Sequence, residues 1–185
     1  MVSWLKRRAR QVKAASHQDQ DTPPAVLGRG VRSLAEGGAP FWRTTPLAAL
    51  SPEQWEALCD GCGKCCLLKL QDDDEDGQPG EVHATNVACR LLDRHSCRCS
   101  DYAERWDSVP DCVQLFPAAI RRTPWLPPTC AYRLLDEGHD LPEWHPLVTG
   151  DPESIHRAGK SVRGRCIDER KAGPLDHHLV DWDDL

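Results

Sequence analysis

The chain is short of the residues that build large cores. Of 185 residues only two are Phe, two Tyr and one Met, the hydrophobic fraction is 39%, and the mean hydropathy is −0.58. Seven Trp, together with Leu, must supply most of the apolar packing. A core that small needs a staple, either disulfides or a metal. Long apolar runs are missing too, so no stretch approaches the roughly 20 residues of a membrane span. In the opening MVSWLKRRARQVKAAS only Val2, Trp4 and Leu5 precede Lys6, Arg7, Arg8 and Arg10, which excludes the apolar run of about 7–15 residues that an export signal requires. A soluble, cytoplasmic protein is expected. Acidic residues outnumber basic ones, 29 to 23, and the formal net charge of −6 argues against a nucleic-acid partner, which would call for a basic face. A Walker loop, a dinucleotide fingerprint, an HExxH motif, a Ser/His/Asp order and internal repeats are all absent, and with them the common catalytic signatures.

What the chain has in excess is cysteine, ten in all. In a reducing compartment these read as metal ligands before they read as disulfides. Four fall within Cys59-Asp60-Gly61-Cys62-Gly63-Lys64-Cys65-Cys66, a CxxCxxCC cluster. A CxxC turn sets two thiolates on one ion, and Gly61 and Gly63 let backbone amides turn toward the sulfurs. Consecutive side chains are expected to diverge, so Cys65 and Cys66 are expected to serve different centres. Cys59, Cys62 and one of the pair then hold one centre. The other joins a group from Cys89, Cys99 and Cys112, with Cys97 or Cys130 completing the shell. Cys97 and Cys99 alternate sides if extended. The expectation is therefore zinc or iron, dinuclear or as an iron–sulfur cluster. Spacing alone does not separate a purely structural metal from a reactive one, so whether the protein is an enzyme is left open.

The surroundings fit that expectation. Lys64, Lys69, Arg90, Arg94 and Arg98 are interleaved with the cysteines and can offset thiolate charge, while Tyr102 and Trp106 read as an apolar wall. His83, His95 and His145 read as packing or surface residues, and Cys166 as a bystander. Asp72, Asp74, Asp76 and Gly77 imitate the start of a calcium loop, but His83 stands where the closing Glu belongs, and a solvated hairpin is the better reading of 71–80.

Three segments are expected: a disordered basic and polar tail over 1–38, a cysteine-cluster domain over 39–172, and an acidic tail over 173–185 with Trp182 as a lone anchor. Order should begin at Phe41-Trp42. Ser51-Pro52-Glu53-Gln54 predicts a helix start with a capping box, carrying Cys59 on its last turn. A strand is predicted over 81–89, helical turns over 101–106 and 110–116 with Pro117 ending or kinking the latter, and a helix over 130–138 closed by Gly138. The fold class is α+β, small and loop-rich, with short helices and a minor β element organised around a cysteine-ligated metal.

Cys59 to Cys66, followed by Cys89, Cys99-Ser100-Asp101-Tyr102 and Cys112, resembles the YkgJ-type CxxCxxCC cysteine-cluster family. Phe41-Trp42, Thr85 to Arg90, Cys130 to Leu135 and Leu141 to Leu147 resemble its YcgN branch over roughly residues 41 to 165. The resemblance implies chelation of zinc or iron by Cys59, Cys62, Cys65, Cys66, Cys89, Cys99 and Cys112, with Cys97 and Cys130 belonging to the narrower branch. A related domain in flagellin lysine N-methylases implies an alternative, an iron–sulfur enzyme or maturation factor in methyl or electron transfer. A zinc-stapled adaptor for an unknown protein partner is the third.

Overall fold

The computed structural model describes residues 10–11, 38–73 and 78–182. In chain order the strands are β1 (Arg10–Gln11), β2 (Leu67–Asp73), β3 (Pro79–Ala88), β4 (Leu92–Asp93), β5 (Arg98–Cys99) and β6 (Ile167–Asp168). The helices are α1 (Phe41–Thr44), α2 (Pro52–Ala57), α3 (Arg105–Ser108), α4 (Pro117–Ile120), α5 (Ala131–Asp136), α6 (Pro146–Thr149), α7 (Ser154–Arg157) and α8 (Glu169–Ala172). The fold is α+β and loop-rich, as expected. No helix among the described residues is long and apolar enough to cross a membrane.

The chain divides into two compact units. The helical unit takes in 38–62 and 113–161. Its α2 begins as its sequence dictates: the Ser51 side chain accepts from the Gln54 amide while the Gln54 side chain accepts from the Ser51 amide, a reciprocal capping box with Pro52 in the first turn. Beyond it Gly61 takes φ 77°, a left-handed turn that glycine enters without a Cβ clash. Helix α5 closes as expected. Gly138, at φ 79°, and His139 return their amides to the Leu135 and Leu134 carbonyls, satisfying the helix end in a Schellman arrangement. Pro117 starts a helix where it was expected to end or kink one, because a proline lacking an N–H fits the first turn, where that donor has no partner. The helical turn expected over 101–106 forms instead at α3, in the sheet unit.

The core of the helical unit gathers Trp42, Leu58, Ile120, Leu126, Ala131, Tyr132 and Leu141. The polar tips of its aromatics are satisfied: Trp42 Nε1 donates to Asp140 at 3.2 Å and the Tyr132 hydroxyl to the Trp55 carbonyl at 2.9 Å.

The sheet unit takes in 63–112 and 162–182, with 10–11. Its sheet runs β1-β2-β3-β6, antiparallel between β1, β2 and β3, and parallel between β3 and β6, where Val87 faces Ile167 and Ala88 faces Asp168. The β2 and β3 strands form a hairpin, and β2 itself was not foreseen. Pairing with β3 draws residues 71–73 into the ladder, which shortens the expected acidic loop; Asp74, Asp76 and Gly77 lie outside the described residues. Of the segment 1–38 expected as a tail, Arg10–Gln11 pairs with β2, and 1–9 and 12–37 lie outside the described residues. At the other end, residues of 173–182 contact β3. Leu179 bridges Thr85, the Val180 amide donates to Ala84, and Trp182 Nε1 donates to the Thr85 carbonyl at 3.1 Å, so Trp182 does anchor the segment. Leu67, Ala88, Leu92, Cys97 and Val162 make the small core.

Candidate metal centre

All ten cysteines are among the described residues, and no disulfide joins any of them. The centre is best built from the turn that carries two of them. Gly63, at φ 76°, opens a single 3-10 turn over Lys64–Cys66, and the Cys66 amide donates back to the Gly63 carbonyl at 3.1 Å. Glycine is required there for a second reason. A Cβ at Gly63 would stand 2.8 Å from Val162 Cγ2 and 3.3 Å from Cys97 Cβ. The turn is braced from beneath by Lys69, whose buried Nζ donates to the carbonyls of Lys64, Cys65 and Leu67 at 3.3, 3.4 and 2.7 Å.

This turn overrides the expectation that neighbouring side chains diverge. Cys65 Sγ and Cys66 Sγ lie 3.9 Å apart, because the turn is helical and not extended, so consecutive side chains do not point to opposite sides. Cys65 is exposed and Cys66 half-buried. Cys89 is tied to the same place, its amide donating to the Cys66 carbonyl at 2.9 Å. From Cys89 the chain turns at once, the Leu92 amide returning to the Cys89 carbonyl, and Leu92 on β4 faces Cys99 on β5. Cys112 closes the loop after α3, where the Trp106 indole holds its carbonyl at 3.1 Å.

Electrostatics join these positions into one neighbourhood. The Cys66 thiol is pushed well up by Cys65, through contact and charge, then by burial, and further by Cys112 and Cys89. Burial leads in raising Cys89, and there Glu169 and Cys99 add to it. Burial also carries Cys112 to about 11, with the Arg105 guanidinium opposing and Cys89, Cys65 and Cys99 reinforcing. Each thiol thus makes its neighbours harder to ionise, and a cation among them would reverse that. Among the described residues no three His, Cys, Asp or Glu side chains converge as ligands of one ion.

The CxxCxxCC family model, described as "Putative zinc- or iron-chelating domain", matches residues 58–131. The chain is 60% identical over 144 residues to a UPF0260 protein of Gluconobacter oxydans, a match covering 78% of this chain and 86% of that one. It is 59% identical over 145 residues to a UPF0260 protein of Rhizorhabdus wittichii, covering 78% and 97%. A UPF0260 protein of Rhizobium etli is 54% identical over 145 residues, covering 77% and 89%. The chain belongs to the UPF0260 family. No solved structure matches it. The resemblance to the CxxCxxCC family is borne out.

In this UPF0260 chain the nine candidate cysteines are divided between the two units. Cys65, Cys66, Cys89, Cys99 and Cys112 form the set just described. Cys97 is buried in the sheet unit's core, its backbone in the left-handed region at φ 55°, its side chain against Gly63 and its charge felt at Cys166. Cys59, Cys62 and Cys130 belong to the helical unit: Cys59 and Cys130 pack against its core, and the Cys62 amide donates to the buried Asp60 carboxylate at 2.9 Å. His145 is a satisfied core residue. Its Nδ1 accepts from the Leu147 amide at 3.0 Å, which leaves Nε2 protonated to donate to the Leu58 carbonyl at 3.1 Å. Both ring nitrogens are occupied.

Two residues were underrated. Lys69 is a brace for the turn and not a diffuse surface charge. Arg105, which no motif marks, is buried, with its guanidinium 4.1 Å from the Tyr102 ring centre and 3.8 Å from that of Trp106. The aromatics expected as an apolar wall are a clamp on a cation. Tyr102, Arg105 and Trp106 in one stretch of helical spacing was the available signal.

Proposed function

We propose that this protein chelates zinc or iron through thiolates of its sheet unit, with Cys65, Cys66, Cys89, Cys99 and Cys112 as the ligand pool. The observation that carries the reading is the Cys65–Cys66 pair, two sulfurs 3.9 Å apart on a braced turn. Tetrahedral zinc with Zn–S near 2.3 Å has sulfur–sulfur edges of about 3.8 Å, so the pair matches one edge. Donors that are all sulfur suit zinc or an iron–sulfur cluster and disfavour calcium or magnesium. A bound ion would supply the positive charge that lets these thiols ionise together. The protein's own part is to fix the turn with Lys69, to tether Cys89 to Cys66 through the backbone, and to hold Cys112 by the Trp106 indole.

Elemental analysis and a visible spectrum of anaerobically purified protein test this. A colourless protein with stoichiometric zinc supports a zinc site; brown colour with thiolate-to-iron absorption supports an iron–sulfur cluster and reopens methyl or electron transfer. Protein without either metal contradicts the reading.

A further inference from the structure

Strand β2 has β3 on one side. On the other, among the described residues, it has only Arg10 opposite Gln71 and Gln11 opposite Leu70. An outer edge of seven residues offers a row of amides and carbonyls to another strand, and folds blunt such edges with an outward lysine, a bulge or a proline. β2 has none of these. Its one lysine, Lys69, is buried and donates to the Lys64, Cys65 and Leu67 carbonyls. At both register shifts of the hairpin, between Leu67 and Lys69 and between Gln71 and Asp73, the additional residues fall on β3, so β2 itself is not bulged. The edge is left able to take a strand, and the pairing at Arg10–Gln11 begins one.

The register fixes which way that strand runs. It is antiparallel, so from Gln11 to Arg10 the chain advances from Leu70 to Gln71, toward the Asp72 and Asp73 that end β2. The residues before Arg10 are Lys6, Arg7, Arg8 and Ala9, three of them cations in a chain whose formal net charge is −6. Continued by two residues, the same register sets Ala9 opposite Asp72 and Arg8 opposite Asp73. Asp72 also faces His83 Nε2 on β3 at 3.3 Å. Opposite charges across a strand pair favour one register over others. A parallel strand would carry the cations to the Leu67 end of β2, where Leu67, Leu68, Lys69 and Leu70 bring no carboxylate.

We infer that the outer edge of β2 is a docking site for an extended basic strand, and that its occupant is this chain's own N-terminal segment, residues 6–11, paired antiparallel and drawn toward Asp72 and Asp73 by Lys6, Arg7 and Arg8. The chain covers with these cations the edge that Lys69, turned inward to brace the cysteine turn, leaves open. The inference does not depend on a metal.

Amide hydrogen exchange on the full-length chain, read amide by amide, is the test. In the triple variant Lys6→Glu, Arg7→Glu, Arg8→Glu, the amides of 67–73 that face away from β3 should exchange at least about tenfold faster than in the native chain, with those of α5 at their native rate. Arg10→Pro, which cannot donate to the ladder, should do the same. The charge-preserving Lys6→Arg, Arg7→Lys, Arg8→Lys should stay within about threefold of native. Fast exchange in Arg10→Pro with native exchange in the charge-reversed chain would show that charge does not hold the strand. Native exchange in both would show that the segment does not cover the edge, and either result overturns the inference. Protection at 67–73 that grows with protein concentration would give the edge to a second copy and overturn the assignment to the chain's own segment. Should a variant fail to fold, the native chain decides alone. Raising sodium chloride from about 0.05 M to about 1 M should speed exchange at 67–73 at least about threefold and leave α5 unchanged; an unchanged rate at 67–73 would overturn the inference.

Discussion

At the scale of residues, cysteines of the same type stand in different chemistry. Cys66 has a second sulfur 3.9 Å away and two more thiols acting on its charge; Cys97 is 4% exposed in an apolar core. Cys66→Ser is expected to cost metal and Cys97→Ala chiefly stability, about 1–2 kcal/mol for a small buried side chain, with elemental analysis and urea unfolding as readouts. Gly63→Ala tests the turn. It must place a Cβ at φ 76° and 2.8 Å from Val162, which should cost about 2–4 kcal/mol in urea unfolding; a loss under a few tenths would mean that the turn relaxes freely. Cys112 sets a pH dependence. Its thiol rises from an ordinary value of 9.0 to about 11 in the folded chain, so between those values the folded state binds more protons than the unfolded one. Stability of the metal-free protein should therefore be full below pH 9 and fall as pH climbs toward 11. Cys112→Ala should flatten that decline, and an unchanged slope would show that Cys112 does not set it.

At the scale of elements, what could be read from sequence was what local chemistry decides. Ser51, Pro52 and Gln54 specify the start of α2 by themselves, and Ser51→Ala is expected to cost about 1 kcal/mol in thermal unfolding. Gly138 likewise specifies the end of α5. Elements that owe their form to partners were not legible. Strand β2 is made by β3, whose pairing pulls Gln71 to Asp73 out of an acidic loop. Pro117 can end one helix or begin another, and only the chain after it, Pro117–Ile120, chose. The turn at Lys64–Cys66 is the same case: an extended reading sends Cys65 and Cys66 apart, and the Lys69 brace, five residues along, decides otherwise. Lys69→Met should weaken metal binding about tenfold or more, as loss of an outer partner does, while leaving α2 intact by circular dichroism. Equal affinity would make the brace irrelevant to the site.

At the scale of the whole molecule, the motif and the division of the chain do not coincide. The motif named the family and the metal class, yet the two-unit division falls inside it, between Cys62 and Gly63. No local pattern marks that boundary, because it depends on which core each side joins: Leu58 lies in one hydrophobic cluster and Leu67 in the other. Among the described residues the sheet unit's buried apolar set is seven, one of them Cys97, so a chelated metal should carry much of its stability. A strong chelator is expected to lower the melting temperature of the protein by several degrees or more. The most direct measurement is the metal content of the purified full-length chain beside that of a Cys65→Ser, Cys66→Ser double variant, by elemental analysis. The native chain should carry zinc or iron stoichiometrically and the double variant almost none. A native chain without metal, or a double variant that keeps its full share, would contradict chelation by the sheet unit's thiols.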